Sequence, residues 1–404
     1  MSTRREFLGA ATLGVAALQT ASRTSAAGES TPSESGKKIR MAVLGGGFGS
    51  AFYWHEHPQC VVAAVTDLYP ERRKRLRDVY RCDNVYDSLE EMLPKVSKDL
   101  DAVAIFSGPL DHVKHAKMCF ERGLHVISAV PACFTIEEAY QLKELTEKTG
   151  LRYMMAETSY YNPGCIYARE LYQEGGFGEL FYSEVDYYHD GDREKMINNK
   201  KSLYYNRDGS VSWRQAYPPM HYPTHSLGYI VGVTRERIVS ASALGWGDPQ
   251  QFAKFKANPY KNEFSNECAL MQTDQGHMVR CNVCWQIAAG GERAQWFGEK
   301  GSFYMRRIGI HPIMWDGRRD KPAEISLPEY WNSDRLPEPM RHKSGHGNSH
   351  TFLSAEFINA LIEDRKPAVD VYEALAMTVP GIVAHQSAMR NGEQLNVPQF
   401  DKRA

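Results

Sequence analysis

A glycine-rich turn that directly follows an apolar stretch is the first feature of this chain that could do chemistry. The apolar residues Ile39 to Leu44 read as a strand, and the turn after them is Gly45-Gly46-Gly47-Phe48-Gly49. Such glycines allow a tight bend, let backbone N–H groups approach a pyrophosphate, and let the next helix pack closely on the strand. The N-terminus of that helix would face the anion. The pattern predicts a dinucleotide site, although its third usual glycine position falls on Ser50 when it is read from Gly45.

Asp67 supplies a carboxylate at the spacing that a dinucleotide site requires. A second apolar stretch, Val61 to Val65, leads to Asp67, about twenty residues beyond the turn, where an acid can hold the ribose hydroxyls and favours NAD over NADP. The alternative is an ordinary strand–helix–strand unit in which Asp67 caps a helix.

Tyr222 and His225 form a second group that could do chemistry, in this case proton transfer. His225 follows the stiff, proline-rich segment 218–223 and opens an apolar run with helical character, Leu227 to Val233. We expect the helix dipole to favour the neutral imidazole, which suits a base, and a nearby tyrosine can handle a second proton. The alternatives are a helix cap or a buried core histidine for His225, and aromatic packing for Tyr222.

The elements that must position these groups alternate between strands and helices up to residue 156. Helices are predicted at 70–79, 88–96, 112–122 and 136–149, the last with Thr135 and Glu138 as a capping box, and strands at 100–106, 125–128 and 152–156. This alternation predicts a parallel sheet. Glu157 directly follows its last strand, beyond the carboxyl ends where such sheets bind ligands. A surface salt bridge is the alternative for Glu157.

The second half of the chain has a different pattern. Strand-like stretches predict one open, largely antiparallel sheet, and two helices complete the chain: the strands are at 180–188, 238–244, 269–273, 278–287, 294–298 and 301–306, and the helices at 351–364 and 371–391.

The N-terminal segment has the pattern of a twin-arginine export signal. Arg4 and Arg5 precede a short apolar segment, Leu8 to Leu18, and a small-residue cleavage zone lies near Ser25 to Ala27. We therefore expect a signal at residues 1–27, a linker at 28–37, and a periplasmic or extracellular protein. The alternative is a disordered basic N-terminus.

Composition limits the other possibilities. A net charge of −1 argues against a nucleic-acid or membrane-surface partner. Of eight cysteines, Cys281 and Cys284 form a C-x-x-C pair within a strand pattern, where buried thiols are the default. His221 and His225 have the spacing of a helical metal pair, but Pro223 breaks the helix that would align them, so we expect no metal.

The chain as a whole resembles the Gfo/Idh/MocA family. The likeness covers nearly all of the chain beyond the signal and is carried by the glycine turn, Asp67 and the segments 111–116, 123–131, 135–139 and 370–374. It implies an α/β protein with an N-terminal Rossmann domain at residues 38–156 that binds NAD, with His112 and Pro131 also at the cofactor. It further implies a C-terminal α/β domain at residues 157–404 with a large open sheet, C-terminal helices that pack back on the Rossmann domain, and a homo-oligomer.

One departure from that family bears on the reaction. Its dehydrogenases usually carry Glu-Lys-Pro where this chain has Ala129-Val130-Pro131, and that lysine is the usual acid/base group. Val130 cannot transfer a proton, so a dehydrogenase that uses the usual lysine is disfavoured.

Further motifs resemble the NAD-dependent glycosidases of glycoside hydrolase family 109. The likeness implies that a carbohydrate is bound and acted on by Glu157, Tyr187, Arg214, Tyr222 and His225. It also implies a mechanism in which tightly bound NAD oxidises C3 of a glycoside, a base removes the C2 proton, the aglycone leaves, and the ketone is reduced again. The segment between Arg214 and Tyr222 is shorter here than in that family.

Two further histidines are candidates for contact with the substrate. His189 follows Tyr187 in the same strand pattern, and His346 lies in a Gly-His-Gly segment before a C-terminal helix. The alternatives are ordinary strand positions for Tyr187 and His189 and a helix-capping loop for His346. At the level of the whole protein, the alternatives are a sugar or cyclitol dehydrogenase in which His225 or Tyr187 replaces the lysine, and a non-catalytic carbohydrate sensor that keeps NAD.

Overall fold

The computed structural model describes residues 38–189, 198–202, 204–247, 260–305, 312–315 and 323–401. The predicted export signal and linker lie outside the described residues. In the part of the chain that is described, no helix is long and apolar enough to cross a membrane.

The first sheet has six parallel strands in the order β3-β2-β1-β4-β5-β6. Its inner strands are buried along most of their length because helices cover both faces, as in other parallel sheets. The strands are β1 Ile39–Leu44, β2 Cys60–Thr66, β3 Val85–Tyr86, β4 Ala102–Ile105, β5 His125–Ser128 and β6 Tyr153–Met155.

Four helices accompany this sheet, and the predicted capping box is confirmed. Thr135 Oγ1 accepts a hydrogen bond from the backbone N–H of Glu138, whose carboxylate in turn accepts the N–H of Thr135. The helices are α1 Pro70–Tyr80, α2 Leu89–Val96, α3 His112–Phe120 and α4 Ile136–Thr149.

The α-helix expected directly after the glycine turn does not form, and that expectation was wrong. Two short 3-10 turns, Gly49–Ala51 and Trp54–Glu56, lead to β2 at Cys60. Between them Tyr53 takes a left-handed conformation with φ 56°, which ends any helix at that point. No extended helix dipole therefore faces the glycine turn.

The second sheet has nine strands in the order β14-β13-β12-β11-β7-β10-β9-β8-β15. All described pairs are antiparallel except β7 with β10, so the predicted open, mostly antiparallel sheet is confirmed. Its strands are β7 Leu180–Tyr188, β8 Ile238–Trp246, β9 Asn266–Thr273, β10 Met278–Cys284, β11 Gly291–Gly298, β12 Ser302–Met305, β13 Ile313–Trp315, β14 Ala323–Glu324 and β15 Leu395–Asn396.

In the described part of this half there are four more α-helices, one of them absent from the sequence predictions. They are α5 Pro163–Gln173, which was not predicted, α6 Thr224–Thr234, α7 Gly345–Ile362 and α8 Val371–Ala388. Helix α6 packs on β7, β10 and β11 and is buried along its whole length. Helix α8 packs on β8 and also contacts α4 and β6 of the first sheet.

The opposite face of the second sheet is open to solvent and carries apolar side chains. Strand β9 alternates between buried and exposed residues along its length. The exposed apolar residues of this outer face are Phe181, Leu244, Trp246, Leu270 and Met278.

Candidate active site

Three glycines of the turn occupy positions where a side chain would collide with neighbouring groups. Gly45 has φ +100°, and a Cβ there would lie 2.3 Å from the Phe106 carbonyl oxygen. A Cβ at Gly46 would lie 2.4 Å from the Arg72 carbonyl oxygen, and one at Gly49 would lie 2.6 Å from the Phe106 ring. These three positions therefore permit the bend and the close packing, which resolves the irregular spacing in the sequence.

The loop leaves two backbone donors free for an anion. The Gly46 N–H donates to Asp67 Oδ2 at 2.7 Å, and the Tyr69 N–H donates to Asp67 Oδ1 at 2.8 Å. The N–H groups of Gly47 and Phe48 have no hydrogen-bond partner among the described residues. Gly47 is exposed and Phe48 is half-buried, so both N–H groups are accessible to a pyrophosphate, which accepts hydrogen bonds from such loop donors. Asp67 braces the loop here, and its predicted contact with a ribose stays a prediction.

His112 and Pro131 are joined to each other near the same edge of the sheet. His112 Nδ1 lies 2.8 Å from the Pro131 carbonyl oxygen, and its Nε2 lies 3.2 Å from the Ser107 carbonyl oxygen. Burial lowers the pKa of His112, so the ring is neutral. Both ring nitrogens face carbonyl oxygens, and a neutral ring can donate a hydrogen bond to only one of them. The neighbouring Val130 is buried.

Glu157 and His225 form a buried pair at the carboxyl end of β6. Glu157 Oε1 lies 2.8 Å from His225 Nδ1 and also accepts the Ser159 N–H at 2.8 Å. Both residues are buried, and His225 is the second residue of α6. The other ring nitrogen, Nε2, has no hydrogen-bond partner among the described residues. A carboxylate on Nδ1 fixes the ring, so the proton that can be exchanged sits at Nε2.

Two tyrosines lie beside this pair. The ring of Tyr187 is 4.8 Å from that of His225 and 6.1 Å from that of Tyr222, and the ring of Tyr222 is 5.4 Å from that of His225. Burial raises the pKa of Tyr222 to about 12 and that of Tyr187 well above its usual value. Both hydroxyls therefore stay protonated near neutral pH and act as hydrogen-bond donors.

Glu292 is a further member of this cluster that the sequence predictions missed. It lies opposite Tyr187 in the pairing of β11 with β7. Its Oε2 accepts hydrogen bonds from Ser159 Oγ at 2.9 Å and Tyr229 Oη at 2.5 Å. The sequence pattern predicts a strand that begins at residue 294, whereas the strand begins at Gly291 and includes Glu292. The inward-facing partner of Tyr187 on the neighbouring strand is the signal that could have identified it.

The charge of His225 differs from the expected one. Burial favours the neutral ring, but the charges of Glu157 and Glu292 and the hydrogen bond that Nδ1 donates to Glu157 outweigh burial and raise the pKa of His225 to about 9. Burial would raise the pKa of Glu157, yet the His225 charge and hydrogen bond bring it below its ordinary value. The expectation of a neutral base favoured by the helix dipole was therefore wrong. The two nearby carboxylates stabilise the charged ring by more than the helix N-terminus destabilises it.

His346 approaches the cluster from the glycine loop side. It has φ 48°, a left-handed conformation that is costly for a histidine and is typical of functional sites. Its Nδ1 lies 2.8 Å from His350 Nε2, and its ring is 5.4 Å from that of Phe48. Burial, together with the charge of His225, lowers the pKa of His346 to about 4. Thus His346 links the loop to the candidate site, as a neutral ring.

His189 and Arg214 lie at the edge of the cluster. Both line an open cleft of about 560 Å³ that adjoins it. The ring of Trp285 is 5.7 Å from those of His189 and Tyr187, which joins the cleft to the tyrosines. Arg214 is exposed, and its guanidinium stacks 4.4 Å from the Trp213 ring. It therefore does not touch the Glu157–His225 pair in this structure.

Cys281, Cys284 and His221 are buried. Burial raises the pKa of Cys281 and Cys284, and both thiols are free. His221 is buried against the rings of Phe134 and His385. Among the described residues, no group of three His, Cys, Asp or Glu side chains could hold a metal ion.

Two family models match different parts of the chain. Residues 39–157 match the oxidoreductase family with the NAD-binding Rossmann fold, Gfo/Idh/MocA. Residues 295–404 match the C-terminal domain of glycosyl hydrolase family 109. The Glu157–His225 pair and the two tyrosines lie in or between the matched segments.

Individual proteins agree with these models. A glycosyl hydrolase family 109 protein of Solibacter usitatus is 25% identical over 330 residues, which cover 75% of this chain and 72% of that protein. An alpha-N-acetylgalactosaminidase of Bacteroides fragilis is 34% identical over 134 residues, but the match spans only 32% of this chain and 30% of that enzyme. An inositol dehydrogenase homolog from Azotobacter vinelandii, solved with NAD+, has the same fold, with a TM-score of 0.70 at 18% identity over 89% of this chain and 97% of its own.

Proposed function

We propose that this chain, which belongs to the Gfo/Idh/MocA family and carries a glycosyl hydrolase 109 C-terminal domain, is an NAD-dependent glycosidase. The observation that carries the proposal is the buried Glu157–His225 pair at the carboxyl edge of an NAD-binding sheet. Its imidazole ring lies beside two protonated tyrosines, and its Nε2 has no hydrogen-bond partner among the described residues. The substrate is a glycoside, and the name of the Bacteroides fragilis relative makes α-linked N-acetylgalactosamine the first sugar to test.

The cofactor fits the residues at the first sheet. The free N–H groups of Gly47 and Phe48 would hold the pyrophosphate, Asp67 the ribose, and the Pro131 segment the nicotinamide end. When bound, NAD supplies a transient oxidation at C3 of the sugar, which acidifies the proton on C2. We propose that it is bound tightly, since a reaction without net redox change needs no exchange of the cofactor.

His225 is the proton-transfer residue of this proposal. It exchanges its proton at Nε2, while Glu157 holds Nδ1 and stabilises the charged ring. Glu157 thus acts through His225 as a positioning residue. Tyr187 and Tyr222 donate hydrogen bonds to sugar oxygens, because their raised pKa values keep the hydroxyl protons in place. Val130 leaves no lysine to compete for these roles.

The test starts from protein purified without added cofactor. Bound NAD is measured after denaturation, and p-nitrophenyl glycosides of both anomers are then assayed while nitrophenolate and NADH are recorded. We expect nitrophenol release without net NADH, starting with the α-N-acetylgalactosaminide. A His225→Asn variant, which keeps the shape of the site better than alanine does, should abolish release but retain NAD. Steady NADH formation from free sugars with no aglycone release would contradict the proposal.

A sugar or cyclitol dehydrogenase is the second candidate. The fold that the chain shares with the inositol dehydrogenase homolog favours it. Against it stands Val130 at the position of the usual lysine. The same assay separates the two, because a dehydrogenase accumulates NADH and a glycosidase does not.

We further propose that the protein is exported folded by the twin-arginine route and is periplasmic or extracellular. Arg4 and Arg5 before the apolar segment 8–18 support this. A cofactor acquired in the cytoplasm and never exchanged is compatible with that route. Fractionation of cells that express the full chain, with Arg4 and Arg5 replaced by lysine as the control, tests it.

We also propose a homo-oligomer joined through the outer face of the second sheet. Leu244, Trp246 and Leu270 are more than half exposed there, which is unusual for side chains of this size on one sheet face. Light scattering of the protein and of a Leu244→Glu/Leu270→Glu variant tests the assignment: the variant should dissociate without loss of helix content.

A further inference from the structure

Two histidines form a chain of hydrogen bonds that runs from the glycine loop to the candidate active site. His350 Nδ1 lies 2.8 Å from the carbonyl oxygen of Ala51, and His350 Nε2 lies 2.8 Å from His346 Nδ1. His346 Nε2, at the far end of the chain, has no hydrogen-bond partner among the described residues, and the residue is exposed. Neither ring takes part in the proton transfer assigned to His225.

Packing holds the inner ring of this chain in place. His350 is buried and stacks on the Phe52 ring, with the two centroids 4.6 Å apart and the planes inclined by 10°. A Cβ at Gly345 would lie 2.3 Å from His350 Cε1, so only glycine leaves room for the ring at that position. The direction of both ring nitrogens is therefore fixed.

The positions of the protons follow from the partners of the nitrogens. The Ala51 carbonyl oxygen can only accept a hydrogen bond, so His350 Nδ1 carries a proton and donates it. Burial lowers the pKa of His350, so the ring is neutral and its Nε2 is an acceptor. His346 Nδ1 is then the donor to His350. Since the His346 ring is neutral as well, its Nε2 has a lone pair and no proton.

The backbone at His346 also holds its ring in one place. Three consecutive residues, His346, Gly347 and Asn348, have positive φ, at 48°, 67° and 74°. Ser349 Oγ donates to the His346 carbonyl oxygen at 2.8 Å, and the Ser344 N–H donates to Asn348 Oδ1 at 2.9 Å. A left-handed histidine costs free energy and persists only where its surroundings enforce it, which is common at binding sites.

The outer ring of the chain lies where a ligand of the active site can reach it. The His346 ring is 5.4 Å from that of Phe48, and the charge of His225 lowers the pKa of His346, so the two histidines are within electrostatic reach. Tyr187, Tyr222 and the charged His225 all present donors to the site. A hydroxyl group that accepts from such a donor also has a hydrogen to donate, and His346 Nε2 is an acceptor for it.

We propose that His346 Nε2 accepts a hydrogen bond from a hydroxyl group of the substrate sugar, and that His350 is a positioning residue that keeps this nitrogen unprotonated. The inference rests on the proposed function, because it takes the substrate to be a carbohydrate. It goes beyond that function by assigning the acceptor and the group that fixes it. It also connects the glycine loop with substrate binding, since the Ala51 carbonyl oxygen orients His350.

Histidine-selective 15N NMR of the purified protein tests the protonation without any turnover, because protonated and unprotonated ring nitrogens give different signals. We expect His346 Nε2 to be unprotonated at neutral pH. His350→Phe retains a ring on Phe52 but removes both nitrogens, so His346 should become a mixture of two tautomers. His55→Phe, at an exposed histidine that packs on Tyr80, is the matched control and should change nothing. A mixture in the unaltered protein, or an unchanged signal in His350→Phe, would refute the positioning role.

Sugar binding to the NAD-containing protein tests the contact itself. The probes are the free sugars of the nitrophenyl panel, and the one that binds most tightly is compared with deoxy analogues that each lack one hydroxyl group. We expect its Kd to rise about tenfold in His346→Phe, the effect of one lost hydrogen bond. One deoxy analogue should show the same rise in the unaltered protein and no further rise in His346→Phe.

Three results would overturn this assignment. The rise in His346→Phe is the same for every analogue, which a merely structural role would produce; no sugar of the panel binds; or His346→Phe loses NAD while its affinity for the sugar is unchanged, which would assign Nε2 to a ribose hydroxyl of the cofactor. If sugars bind and no glycoside is cleaved, only the glycosidase function fails, because neither measurement requires turnover.

Discussion

Glu157 Oε1 and His225 Nδ1 are 2.8 Å apart in a pair that is buried at the junction of β6 and α6. One residue ends the first sheet and the other begins a helix of the second, so the pair exists only when both halves of the fold are in place. The charge state of this pair determines whether His225 donates or accepts a proton at a given pH.

Removal of the Glu157 charge should move the pH profile of the reaction. Glu157→Gln keeps the shape and a hydrogen bond to Nδ1 but removes the main charge that raises the pKa of His225 to about 9. We expect the limb of kcat against pH that reports His225 to move to lower pH by at least about one unit, with kcat reduced about a hundredfold. The limb is read from kcat between pH 5 and 10. Glu157→Asp, which retains the charge, is the control, and an unmoved limb in Glu157→Gln would show that the pair does not govern the reaction.

The same pair should make stability depend on pH in a defined direction. The pKa of His225 in the folded protein, about 9, lies above its ordinary value of 6.5, so the folded state holds more protons between these values. The stabilisation is therefore complete below pH 6.5 and is lost as pH rises through about 9, by on the order of 3 kcal/mol.

Urea unfolding at pH 6.5, 8 and 9.5 measures this loss. The double variant Glu157→Gln/His225→Gln, which removes both charges together, should be less sensitive to pH over this range. Equal slopes for the two proteins would contradict the assigned charge state.

Glu292 should act in two separable ways. Glu292→Ala leaves the hydroxyls of Ser159 and Tyr229 without their shared acceptor, which costs about 1–3 kcal/mol of unfolding free energy. Glu292→Gln retains an acceptor and should be close to the unaltered protein in stability. In both variants the limb of kcat that reports His225 should move to lower pH, by less than in Glu157→Gln, because Glu292 makes no hydrogen bond to the ring. Thermal unfolding and the pH profile, measured on the same preparations, distinguish the two effects.

Two neighbouring glycines should respond differently to alanine. A Cβ at Gly46 would meet the Arg72 carbonyl oxygen at 2.4 Å, so Gly46→Ala should destabilise the fold. A Cβ at Gly47 has its nearest neighbour, the Arg72 guanidinium carbon, at 3.6 Å, an ordinary contact. Gly47→Ala should therefore fold normally but lose most of its NAD, since the added methyl occupies the approach to the free N–H groups. Bound NAD and the melting temperature check both; a folded Gly47→Ala with full NAD would place the pyrophosphate elsewhere.

The local elements of the fold could be predicted from the sequence because interactions between residues close in the chain determine them. Thr135 and Glu138 form their capping box within one helical turn, and β7 spans Leu180–Tyr188 as predicted, since a strand's alternation is carried by its own residues. The predicted strand at 278–287 ends at Cys284, and the predicted helix at 371–391 ends at Ala388, because ends depend on neighbours outside the segment.

The candidate site could be predicted only in part, because most of its residues lie far apart in the chain. Tyr222 and His225 are close in sequence, and the convergence of Glu157 and Tyr187 on them was implied by a family likeness. Glu292 and Trp285 were not predicted, because their proximity to Tyr187 follows from strand order, which places β7 between β10 and β11.

The sequence by itself determined the two kinds of sheet, the glycine turn with Asp67, and the residues able to transfer protons, since each depends on residue type and short spacing. Only the tertiary structure decided that 3-10 turns follow the glycine loop, that His225 is charged, and that an aromatic cleft adjoins it. The charge state arises from Glu157, His225 and Glu292, and the cleft from residues at 189, 204–217, 264–265 and 285–286, all of which lie far apart in the chain and meet only on folding. Electrostatic interaction and burial depend on those through-space distances, which spacing along the chain does not report.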